Sequence, residues 1–190
     1  MRITTLTGAI PTIVFILTAI SQATEIDSLL QHIKSVGPRG NRHADAQPVQ
    51  QALGRAHADA LLPILRASND ANVLAMNWLR GAFESIADRT LKAGRTLPRA
   101  DLEAFVRDTA HHPRVRRLAY EWLVKVDPTA PDRLIPRMLD DPGEEFRRDA
   151  VARLIAAAER LSPQEDRDAA LEIWKQARNA AGHEDKVETI

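Results

Sequence analysis

The chain has 190 residues, enough for one domain with a sizeable core, and its 26 basic side chains balance 26 acidic ones. Such a balance gives no overall field to recruit nucleic acid or an acidic substrate. There is no cysteine, which excludes structural disulfides, thiolate zinc sites, a covalently attached c-type haem and a lipidated N-terminal Cys.

Alanine is abundant and aromatic residues make up only 4%. Ala has the highest helix propensity and lets helices approach closely, so the composition is that of an all-α protein. Twenty-one of the 26 basic residues are Arg. Their planar fork suits bidentate pairing with carboxylates between layers of helices.

The first 23 residues read as an address rather than as structure. Arg2 is a minimal positive start and Ile10 to Ile20 is mostly apolar. Ser21-Gln22-Ala23 then places small residues at the −3 and −1 positions of a cleavage site after Ala23. The apolar run falls short of the roughly 20 residues that span a bilayer. The expectation is an exported protein, periplasmic or extracellular, with 1–23 a signal peptide. If that segment stayed uncleaved, it alone would touch a membrane.

Thr24 to Val36 carries Ile26, Leu29, Leu30 and Ile33 at i, i+3, i+4 and i+7, one apolar stripe on a helix. Thr24 and Asp27 stand in capping-box spacing. Gly37 to Gln47 has little to bury and reads as a loop, so 24–47 is taken as an N-terminal helix and linker. Pro48 to Ala67 contains two short helical pieces, and Pro63 kinks the second or sits near its first turn. A long helix is expected from about Ala71 to Asp88, with Ala75, Leu79, Ala82 and Ile86 inward and Trp78 and Phe83 flanking.

A loop around Gly94 follows, and Pro98 suits the first turn of a helix that buries Leu102, Phe105 and Val106. His111-His112-Pro113 starts the next helix, which runs to Val126. Asp127 to Pro131 is a break, Arg133 to Leu139 a short helix with Pro136 inside it, and Asp140 to Gly143 a turn. Glu144 to Leu161 is the third long helix. Ser162-Pro163-Gln164-Glu165 specifies a further helix start, and that helix offers Ile173 and Trp174 for burial. Beyond Gly182, Glu184 to Ile190 reads as the acidic first turn of another helix, with Val187 and Ile190 at i and i+3. The C-terminal helix and tail, 162–190, are therefore expected to end either in an unfinished edge that docks on a partner or once continued into a further domain, or in a frayed tail.

The segments repeat. Shifting by 31 residues lays Arg116-Arg117, Ala119 and Leu123 on Arg147-Arg148, Ala150 and Leu154. Shifting the other way by 44 lays Ala119, Trp122 and Leu123 on Ala75, Trp78 and Leu79. Recurrence on this scale marks stacked helical hairpins, each burying its apolar face on the next.

The hairpins resemble HEAT repeats. That pattern runs L-L-P-x-L in a first helix, Asp-Pro in the turn, then V-R and spaced Ala and Leu in a second helix. Arg133 to Ile155 follows it closely, with Phe146 in the Val place. Leu102 to Val126 keeps Val115-Arg116, Ala119 and Leu123, with His112 where the turn Asp would stand. Ala60 to Ile86 keeps Leu62-Pro63 and Trp78-Leu79 but lacks the Arg. The resemblance covers Val49 to Leu161 and implies a right-handed α-solenoid of about three hairpins over 48–161, with flanking helices. It also implies a ladder of turn Asp and Arg between hairpins, drawn from Asp141, Arg116, Arg147 and Arg148. Asp141 with Arg147 or Arg148 is the nearest pairing in sequence. A partly exposed pair of this kind contributes about 0–1 kcal/mol.

Three sets of residues suggest function. Trp78 and Trp122 hold equivalent registers beside Asn77 and Glu121, where aromatics on a concave solenoid face would bind a partner; the favoured alternative is that both rings fill gaps between hairpins. Arg114, Arg116, Arg117, Arg147, Arg148 and Arg153 form a basic ridge, and some HEAT-like proteins, DNA glycosylases among them, bind nucleic acid. Here Glu121, Asp141, Glu144, Glu145 and Asp149 are interleaved with the Arg, so nucleic-acid binding is not expected. His111 and His112 are adjacent and point apart, without metal-ligand spacing. No phosphate loop, nucleophile elbow or cofactor motif occurs. The function that follows is an exported scaffold acting on a protein partner. The alternatives are a structural segment of a longer exported protein and, less favoured, an enzyme on a HEAT-like scaffold.

Overall fold

The computed structural model describes residues 24–37, 42–161 and 167–181, and these are all-helical, with no strand among them. The signal-peptide segment, the Ser162 to Glu165 helix start and the tail from Gly182 lie outside the described residues. The chain divides into two compact units, Met1–Lys92 and Ala93–Ile190.

In the first unit, α1 (residues 24–34) buries Leu30 and Ile33, with Val36 just beyond it. Ile26 and Leu29 of the same stripe are only half-covered. α2 (His43–Gly54) starts earlier than its sequence suggests, inside the stretch read as a loop. Its first turns hold Ala44 and Ala46, and Ala46 is completely buried, so packing selects the helix despite Pro48 within it. After a 3₁₀ turn (Ala58–Ala60), α3 (Leu61–Ser68) takes Pro63 in its first turn, where the missing N–H has no helical partner to lose. α4 (Val73–Lys92) packs against both α2 and α3.

Asn72 caps α4, its Oδ1 accepting from the N–H groups of Leu74 and Ala75 at 3.0 Å, while its Nδ2 donates to the Val36 carbonyl at 2.7 Å. One side chain thereby starts α4 and anchors the end of α1. Arg89 donates from both terminal nitrogens to the carbonyls of Gly54 and Ala56, which satisfies the C-terminal end of α2 with a cation.

Two residues past the end of α4, Gly94 has a φ of 70°, the left-handed conformation that closes helices at small cost only for glycine. The second unit opens with α5 (Arg99–Arg107), which buries Leu102, Phe105 and Val106 and packs back on α6 (Pro113–Val126). His112 is the N-cap of α6, its Nδ1 accepting from the Arg114 N–H at 3.2 Å, so it fills the capping role of the turn Asp. His111 stacks on Phe105, ring centroids 3.8 Å apart.

α7 (Ala130–Leu134) begins three residues before its expected start, with Pro131 in its first turn, and passes at Pro136 into a 3₁₀ turn (Ile135–Arg137). α8 (Glu144–Glu159) packs on that turn and on α6, and α9 (Arg167–Ala181) packs on α8.

Candidate functional site

Of the Arg and Asp expected in a ladder between hairpins, Arg116 and Asp141 pair directly. Arg116 is fully buried and grips Asp141 in a bidentate fork, Nη1 to Oδ1 at 2.8 Å and Nη2 to Oδ2 at 2.6 Å. Its Nε donates to the Val106 carbonyl at 2.8 Å, and the Phe146 ring lies 4.9 Å below the guanidinium. Asp141 Oδ1 also accepts from the Gly143 N–H at 2.7 Å, at the start of α8. One carboxylate thus joins the second helix of one hairpin to the turn of the next.

Arg147 donates to the backbone carbonyl of Asp141 at 2.7 Å, and Arg148 pairs with Glu144 one helical turn away. The Asp141 carboxylate is held at both oxygens by Arg116. Because both partners are buried, the figure for partly exposed pairs does not apply.

Arg117 and Arg153 of the ridge are engaged as well. Arg117 lies 2.5 Å from Asp149 and 3.3 Å from Glu145, and Arg153 lies 2.7 Å from Asp132. Arg116, Arg117, Arg147, Arg148 and Arg153 all hold acceptors within the protein, which leaves little of the ridge to meet phosphates.

Asp127 is a second hub, at the end of α6. It accepts from Arg99 at 2.8 Å, from Arg133 at 2.9 Å and from the Thr129 hydroxyl at 2.7 Å, while Arg133 also reaches Glu103 at 2.7 Å. The bond from Arg133, then that from Thr129, with Arg99 adding to both, holds the Asp127 carboxyl well below the usual carboxylate range. This hub ties α5, α6 and α7 together.

Of the residues expected to meet a partner, Trp122 keeps only 4% of its surface exposed, and Lys125 Nζ sits 3.4 Å from the centre of its ring. It is a packing residue. Glu121, beside it, is half-buried and lies 3.8 Å from Arg117. Trp78, in the first unit, is half-buried, with Asn77 exposed next to it.

Among the described residues, the large aromatic that faces solvent is Trp174. The sequence offers it for burial, yet it is 43% exposed and Leu171, one turn before it, is 51% exposed. The reason lies in two apolar stripes on one helix. Ala170, Ile173, Ala177 and Ala180 turn towards cover, with Ala177 fully buried. Leu171 and Trp174 lie on the outward side, bracketed by the exposed Arg167 and Arg178.

The first unit carries a cleft of about 360 Å³ between α1 and the end of α2. Ile26, Leu29, Ala52 and Ala56 give it an apolar floor, and Glu25, Arg55, His57 and Asp59 a rim of mixed charge. Its size is at the low end for small-molecule pockets.

Among the described residues no group of His, Asp or Glu could hold a metal ion, and no helix is long and apolar enough to cross a membrane. These features define an all-α protein held together by buried and half-buried Arg–carboxylate hubs. No protein-family model matches the chain, and no curated protein or solved structure is significantly similar to it.

Proposed function

We propose that the chain is an exported, HEAT-like helical scaffold that binds another protein, and that α9 provides the binding face. The observation that carries this reading is the outward pair Leu171 and Trp174, 51% and 43% exposed on a helix whose other stripe is already covered. Large apolar side chains held next to each other on a rigid helix, with Arg on both sides, have the composition of an interface hot spot. Covering what remains of the two side chains would contribute on the order of 2–3 kcal/mol. The repeat of Arg-Arg, Ala and Leu between α6 and α8, and the Arg116–Asp141 fork joining their hairpins, support the HEAT-like assignment.

A photoreactive amino acid at position 171 tests the reading. It should give one discrete crosslinked product in the native periplasmic fraction, lost on Trp174→Ala and not formed from position 51 on α2. Equal crosslinking from both positions would refute it. N-terminal sequencing of the secreted chain should begin at Thr24.

A further inference from the structure

We propose that the partner of α9 is an amphipathic helix carrying carboxylates at both ends of its apolar seam. This deepens the reading of α9 as the binding face and depends on it.

Arg167, Leu171, Trp174 and Arg178 follow one another at intervals of 4, 3 and 4 residues, the spacing of a heptad seam. The more covered stripe of the same helix, Ala170, Ile173, Ala177 and Ala180, is spaced 3, 4 and 3, and α9 packs on α8. α9 therefore presents two helix-packing faces, one used internally and one turned outwards. A helix is the element that such a seam accepts.

Charge then selects among helices. A second copy of α9 is disfavoured in either direction. A parallel pair sets Arg167 beside Arg167 and Arg178 beside Arg178. An antiparallel pair centred between Leu171 and Trp174 sets Arg167 of one copy beside Arg178 of the other.

Neither Arg167 nor Arg178 forms an ion pair among the described residues, whereas Lys175 is held by Glu172 at 2.6 Å on the flank of the seam. Asp168 lies on that same flank, away from the seam axis. Two cations with no ion pair among the described residues, about 16 Å apart along the helix axis, thus bracket the apolar pair. The complementary ligand carries Glu or Asp at its outer seam positions and Leu-like side chains at the inner two. A flat anionic lipid surface would also attract the Arg, but two apolar side chains give it little to hold.

Fluorescence anisotropy of labelled helical peptides against the full chain provides the test. One peptide carries Glu at both outer seam positions and Leu at the inner two, and its counterpart carries Lys in place of Glu. The Glu peptide should bind about tenfold more tightly than the Lys peptide, as two exposed ion pairs allow. Arg167→Glu with Arg178→Glu should reverse that preference, with an unchanged far-ultraviolet circular dichroism spectrum.

If both peptides bind equally and Trp174→Ala abolishes both, the acidic partner is wrong while the binding face stands. If neither peptide binds, or Trp174→Ala and Leu171→Ala change nothing, the face itself is wrong. Binding to phosphatidylglycerol vesicles in place of either peptide would overturn the proposal in favour of a lipid surface. Self-association lost on Trp174→Ala would overturn it in favour of a second copy.

Discussion

Asp141→Ala should destabilise the second unit severely. Arg116 would remain in place, fully buried, with the Val106 carbonyl as its remaining hydrogen-bond acceptor and Phe146 beneath it. Removing one partner of a buried ion pair costs about 3–5 kcal/mol, because the other charge stays out of water uncompensated. The Gly143 N–H would lose its acceptor too, adding about 1 kcal/mol. Domains of this size have a total stability of about 5–15 kcal/mol, so much of the second unit's margin would go.

Replacing both partners, Arg116→Met with Asp141→Leu, should recover most of the loss, since apolar groups of similar size fill such sites at little or no cost. Urea unfolding followed by circular dichroism gives the free energies. Hydrogen exchange over α6 and α8 shows whether the loss is confined to the second unit. An Asp141→Ala protein within about 1 kcal/mol of the parent would refute the argument. So would a double variant no more stable than the single one.

Acid should also weaken the second unit through Asp127, whose carboxyl is held low by Arg133, Thr129 and Arg99. Above about pH 4 both folded and unfolded chains carry the ionised group and its full contribution is present; below that the unfolded chain takes up the proton first and stability falls. Asp127→Asn should flatten that part of the acid-unfolding curve. Gly143→Ala should cost about 1–3 kcal/mol in urea unfolding, because the new Cβ would lie 3.0 Å from Asp141 Oδ1, 3.2 Å from Phe146 and 3.3 Å from Pro113, all fixed by packing. Gly81→Ala is the contrast: its Cβ meets only the mobile end of Gln50 at 2.9 Å, and Ala gains about 1 kcal/mol in helix propensity, so thermal unfolding should be unchanged or raised. His112→Ala should cost about 1 kcal/mol through loss of the α6 cap, and His112→Asp should restore it.

The sequence by itself determined the helices. Periodic Leu, Ile and Ala placed α4, α5, α6 and α8 and their covered faces, because a helix puts residues three and four apart on one side whatever it packs against. Proline marked the first turns of α3 and α6 through its fixed φ and missing N–H, whereas Pro136, read as lying inside a helix to Leu139, falls in the 3₁₀ turn after α7. Local pattern failed where burial overrode it, as at Ala44 to Gln47, which packing draws into α2. It was less sharp where partners lie far apart in the chain. The ladder expected between hairpins included Arg116, but Asp141 has Arg147 and Arg148 closer by in sequence, and only the third dimension brings Arg116, 25 residues away, into a bidentate grip. Trp122 and Trp174 show the same division. Each lies on an amphipathic helix with more than one apolar stripe, and only the neighbouring helix decides which stripe is covered: the ring of Trp122 went inside, and that of Trp174 stayed in water.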